Sequence, residues 1–123
     1  MRLAFIAVVL AGCGAPPTLQ RVETEVFQKS CNFSSCHTGS SPAEGLNLES
    51  PTHAKLVNVK ARAAGATDLT LVVPGKPDDS YLYQKLTQTM PRAGALMPQT
   101  GDMLDAARLA LVRDWIAAGA ENN

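Results

Sequence analysis

Cys31 and Cys36 are separated by four residues, and His37 follows the second cysteine directly. These residue types in this order suit covalent haem attachment. Two thiols add across the two vinyl groups of a porphyrin edge, and the adjoining imidazole is directed at iron. The usual signature is Cys-x2-Cys-His; here Asn32-Phe33-Ser34-Ser35 lengthens the spacer to four residues. Ser34 and Ser35 are small and turn-tolerant, which suits a spacer that must loop out so that both sulfurs reach the ring. Two other chemistries compete for the same residues. One is a Cys31–Cys36 disulfide with His37 merely solvated. The other is zinc held by Cys31, Cys36, His37 and His53, where adjacent Cys36 and His37 are awkward as two ligands of one tetrahedral ion because neighbouring side chains diverge.

The third cysteine, Cys13, has a different setting. Met1-Arg2 precedes the apolar run Leu3–Leu10, which is too short for a permanent membrane span and has the shape of a secretory signal. Leu10-Ala11-Gly12-Cys13 then matches a bacterial lipobox, whose cysteine is alkylated by diacylglycerol before cleavage; an ordinary signal peptide containing a cysteine is the alternative. The expected division is a signal peptide over 1–12, a lipidated tether over 13–19 and one folded domain over 20–123. The expected location is the bacterial cell envelope, facing the periplasm, with the lipid as membrane anchor. Gly14 stands where an aspartate would favour inner-membrane retention, so the outer membrane is preferred. Lys+Arg and Asp+Glu both number 11, a balance that gives no nucleic-acid signal and no polybasic membrane signal.

Short helices must position these residues. Val22, Val26 and Phe27 form an apolar stripe, which predicts a helix over Gln20–Lys29 with Thr18 as N-cap. Cys31–Gly45 is polar, small and turn-rich, and reads as a loop. Leu46-Asn47-Leu48 can pack on the core. Pro51 at N1 predicts a helical turn through Leu56-Val57. Lys60–Thr67 reads as a surface connection. Leu69–Val73 reads as extended but lacks a partner strand. Pro77-Asp78-Asp79-Ser80 opens a helix with Leu82 and Leu86 on one face. Met90–Gly101 is a loop. The last helix has Asp102 or Asp105 as cap, carries Leu104, Leu111, Val112, Trp115 and Ile116 at helical spacing, and stops at Gly119. The prediction is an all-α domain of three to five short helices with long loops, and loops that long in so small a domain suggest a non-protein group at the centre.

From about Val26 to Ala120 the sequence resembles the class I-like monohaem cytochrome c domains of bacterial lipoproteins and exported proteins. The landmarks are Cys31…Cys36-His37-Thr38-Gly39, Gly45-Leu46-Asn47-Leu48, Leu56-Val57-Asn58-Val59, Val73-Pro74-Gly75-Lys76-Pro77, Ser80–Leu86, a Met-Pro, and Ile116–Ala120. The resemblance implies a small cytochrome c-like fold, with the terminal helices crossing beside a single covalent haem c. It implies Cys31 and Cys36 as attachment points and His37 as proximal iron ligand. Trp115, Tyr81 and Tyr83 then read as core or haem-wall residues.

A methionine thioether is the sixth ligand in such carriers and raises the potential. Met90 and Met97 both precede proline, and Met103 lies nearer the last helix, where packing is expected. The resemblance favours Met97, whose Met-Pro is followed shortly by the last helix; Met90 is the alternative, and His53 or an open site remain beyond it. The expected function is single-electron transfer to redox partner proteins, without bond chemistry. Asp78-Asp79 and Asp102/Asp105 fit helix starts better than acid–base work. The rivals are a haem-free structural or binding lipoprotein with a Cys31–Cys36 disulfide, and a haem enzyme, such as a peroxidase, with an open sixth position.

Overall fold

The structure is a computed structural model that describes residues 14–88, 91–99 and 103–123. The expected signal segment 1–12, Cys13, Met90 and Asp102 lie outside the described residues. Within them the domain is all-α: short helices joined by long loops, with two isolated bridges and no strand.

The first helix is continuous but mixed in pitch. It runs as α1 (Leu19–Val22), a π-helical segment (Glu23–Phe27) and α2 (Gln28–Ser30). Thr18 caps it as expected, its Oγ1 accepting from the Arg21 N–H at 3.2 Å. Arg21 forms a two-pronged ion pair with Glu25 (2.9 and 3.2 Å) and also donates to the carbonyls of Ala15 and Pro16 (2.8 and 3.2 Å). The segment ahead of the helix is thereby folded back onto it. Val22, Val26 and Phe27 are all buried, as their spacing predicts. The π-helical segment is the feature that spacing does not reveal. Its extra residue per turn shifts the register just ahead of Cys31, where the N–H groups of Cys31 and Asn32 both donate to the Phe27 carbonyl at 2.9 Å.

In the middle of the chain, Ala43–Gly45 makes a 3-10 turn, and α3 (His53–Leu56) is a single helical turn. Its N-cap is Thr52, so Pro51 precedes the helix instead of occupying N1. The reason is Glu23, whose carboxylate accepts from the Thr52 N–H (2.9 Å), the Thr52 hydroxyl (2.7 Å) and the Ser50 hydroxyl (2.8 Å). That anchorage fixes where the turn begins. The 60–67 segment is a surface connection only in part, because Ala61 and Ala66 are buried. Residues 69–73 are extended and pair only at single bridges, Val57 with Val72 and Lys60 with Thr70.

A 3-10 turn at Pro77–Asp79 leads into α4 (Tyr81–Thr87), and the chain closes with α5 (Ala106–Ala117). Buried Ser80 joins these parts, its Oγ accepting from the Val73 N–H and donating to the Lys76 carbonyl, both at 2.9 Å. Asp105 caps α5 by accepting from the Arg108 N–H at 2.8 Å. Leu111, Val112, Trp115 and Ile116 are buried, and α5 packs against both α1 and α4. The chain passes Gly119 at φ 116°, a conformation open to glycine. Asn123 then accepts from the Leu19 N–H through its side chain (3.0 Å) and from the Gln20 N–H through its backbone carbonyl (2.9 Å). Two otherwise orphan donors of the first helix are thus satisfied from the far end of the chain. Met103 does not pack: it is 59% exposed, because the core position ahead of α5 is taken by Leu104.

Candidate functional site

The Cys31–His37 segment closes on itself. The His37 N–H donates to the Cys31 carbonyl at 3.1 Å, and the Cys36 N–H donates to the Phe33 carbonyl at 2.8 Å. Phe33, Ser34 and Ser35 consequently face solvent, with Phe33 half exposed. The long spacer therefore loops out, as its small polar residues require. Asn32 stays inside and donates from Nδ2 to the Leu48 carbonyl at 2.9 Å. Leu48 returns the connection through its N–H to the His37 carbonyl at 2.8 Å.

Both thiols are free. Cys31 is buried, and that burial, reinforced by the neighbouring Cys36, pushes its pKa from 9.0 up to about 11. The Cys31 thiol is therefore held neutral at ordinary pH.

His37 is oriented by one contact. Its Nδ1 lies 2.9 Å from the Leu46 carbonyl oxygen. A carbonyl can only accept, so Nδ1 is the donor, and in the neutral ring the lone pair lies on Nε2. Fixing one ring nitrogen in this way is how proteins prepare the other for a metal. Leu46 is reached through Gly45 at φ 68°, where the guanidinium of Arg62 lies so close that a Cβ would stand 2.9 Å from its Nη1.

Cys31, Cys36, His37 and Met97 all line one cavity of about 350 Å³. Its walls are largely aliphatic, with Leu46, Leu48, Leu71, Leu82 and Leu86. The volume and the apolar lining with a few convergent polar groups match small-molecule or cofactor sites. Ala61 and Ala63 bring the middle segment to the wall because their small side chains permit close approach. Arg62 and Glu44 are exposed at the rim. Met97 is half-buried, and its N–H donates to the Lys85 carbonyl at 2.7 Å.

His53 stands apart. Its Nε2 is 3.0 Å from the Ala120 carbonyl, so that nitrogen donates, and the residue does not line the cavity. The four-ligand set with Cys31, Cys36 and His37 is therefore not assembled, and among the described residues no group of three or more metal-capable acidic, histidine or cysteine side chains converges.

The sequence reading did not single out Lys85 or Arg62. Lys85 lies one turn beyond Tyr81 on α4, so the two share a helix face beside that of Leu82 and Leu86. Burial pulls the Lys85 ammonium below its ordinary range, and Glu44 opposes the shift. Tyr81 is buried in the cavity wall, as expected. No helix among the described residues is long and apolar enough to cross a membrane. Comparison with protein-family models, with curated proteins and with solved structures finds no match to the chain.

Proposed function

We propose that this chain is a small c-type electron carrier with a cytochrome c-like fold, in which Cys31 and Cys36 hold one haem covalently. His37 and Met97 are the axial ligands of that reading. One observation carries it: four residues of the required chemical types, from two distant stretches of sequence, share one apolar cavity. The donor set fits the group. Two free thiols flank the cavity, the imidazole has its Nε2 lone pair free, and a thioether lies on the same lining. A haem bound there supplies one-electron iron chemistry, and a methionine ligand raises its potential.

The residues' own part is to bind and to keep water out. His37 is held in one tautomer by Leu46, and the leucines give the low-dielectric surroundings that tune potential. The N-terminal part of the reading extends this to a lipoprotein: cleavage after Gly12, a lipid on Cys13, and a location in the cell envelope facing the periplasm. Its partners are then redox proteins that approach the exposed rim.

The test is an intact mass. The full chain is expressed in a host with cytochrome c maturation machinery, denatured and weighed. The expected result is one haem retained on the chain. A haem-free mass lower by two hydrogens identifies the Cys31–Cys36 disulfide and overturns the reading.

A further inference from the structure

We propose that Tyr81 and Lys85 are positioning residues for Met97: together they clamp the 91–99 loop to α4 and so hold the thioether at the cavity. This inference rests on the haem reading above and deepens it.

The loop has no helix or strand of its own. Pro91 is buried and Ala93 and Met97 pack on the core, while the side-chain hydrogen bonds that tie the loop down come, among the described residues, chiefly from two residues one turn apart. The Lys85 ammonium donates to the carbonyls of Ala93 and Ala95, both at 2.7 Å. The backbone carbonyl of the same residue accepts from the Met97 N–H, also at 2.7 Å. The Tyr81 hydroxyl reaches Ala93 twice, lying 3.1 Å from its carbonyl and 3.1 Å from its N–H. Both residues also line the cavity. Among the described residues Arg92 adds an exposed pair with Asp68 at 3.0 Å and a long contact to the Gly65 carbonyl at 3.5 Å, of the kind that contributes little.

The loop is shaped to receive the ammonium. Gly94 has φ 66°, which turns the carbonyls on either side of it toward one point. A Cβ at Gly94 would stand 3.1 Å from Lys85 Nζ, tight enough to force the ammonium to move. The half-buried ammonium thus exchanges water for two fixed carbonyls, and the carbonyls gain a charged donor.

Methionine is flexible, so its thioether is held only as firmly as the backbone beneath it. An external ligand competing for its place must first shift the loop away, and its apparent affinity is reduced by the fraction of time the loop is docked. Loosening the clamp therefore raises that affinity without touching His37 or either cysteine.

The experiment uses the full chain, matured with haem, in wild type and in Tyr81→Phe, Lys85→Leu, Lys85→Arg and Gly94→Ala. Three quantities are read: haem retained after denaturation, the affinity of added imidazole for the oxidised protein, and hydrogen exchange at the Met97 amide in the haem-free chain. The expected result is wild-type haem content in every variant. Imidazole affinity rises at least tenfold in Tyr81→Phe and Lys85→Leu, with at least tenfold faster Met97 exchange, and Lys85→Arg recovers much of both. Gly94→Ala keeps both clamp residues but crowds the ammonium and strains the loop backbone at φ 66°, so it moves imidazole affinity the same way even if a side-chain variant folds poorly. Normal haem content with wild-type imidazole affinity in these variants overturns the clamp alone. Wild-type protein without covalent haem overturns the functional reading, and the clamp's role with it.

Discussion

His37 Nδ1 donates to the Leu46 carbonyl oxygen across 2.9 Å, and this contact decides which ring nitrogen is available for chemistry. The carbonyl belongs to the backbone, so no side-chain substitution at Leu46 removes it. What a substitution can remove is the ring. On the proposed haem reading, His37→Ala abolishes the low-spin spectrum of the matured protein, while haem retained through the cysteines persists on the denatured chain. Absorption spectra before and after denaturation separate the two effects.

Met97 and Met90 make opposite predictions. Met97 lines the cavity, whereas Met90 lies outside the described residues. If the proposed haem reading holds, Met97→Ala lowers the reduction potential and converts the reduced protein to a form that binds carbon monoxide. Met90→Ala is expected to leave both unchanged. The reverse pattern would transfer the ligand role to Met90.

The haem-free chain has its own pH signature. Burial, with Cys36 beside it, raises the Cys31 pKa from 9.0 to about 11. The folded state thus holds the thiol proton more tightly than the unfolded state. Between those two values the unfolded chain has already released its proton while the folded chain has not. Stability from this group is complete below about 9 and declines as pH rises toward about 11. Denaturant midpoints across that range should fall, and Cys31→Ser should flatten the decline. Alkylation of Cys31 in the folded chain should stay far slower than in urea.

Glu23 contributes at the opposite end of the pH scale. Burial opposes its charge, but hydrogen bonds from Thr52 and Ser50, with help from Lys55, hold the carboxyl below its ordinary 4.5. Its stabilisation is present above the ordinary value and is lost as pH falls through the depressed one. Glu23→Ala leaves the hydroxyl and N–H of fully buried Thr52 without a partner, a loss of about 1–3 kcal/mol near neutral pH. Urea midpoints for the two proteins should converge in acid.

The legible parts of this molecule are those governed by local chemistry. Thr18 and Asp105 are caps because short oxygen-bearing side chains satisfy helix donors, and both act as expected. Val22, Val26, Leu111, Val112, Trp115 and Ile116 are inward because spacing alone places them on one face. Cys31, Cys36 and His37 stand together in the sequence and only the resemblance pointed to Met97; the four line one cavity. What stayed hidden depends on distant partners. Pro51 looked like a helix start, but Glu23 reaches across from the first helix and sets the start after Thr52. Lys60–Thr67 looked like surface, but alanine in a loop carries no sign of whether another element lies over it. Lys85 looked like an ordinary helix cation, because the carbonyls that receive it belong to residues 93 and 95.

The hydrogen bonds from Leu19 and Gln20 to Asn123 have a mechanical meaning. A pull applied through the segment ahead of Leu19 enters the molecule where the first helix is tied to the chain's end and packed on α5. The load is shared with the C-terminal helix before it can reach Cys31.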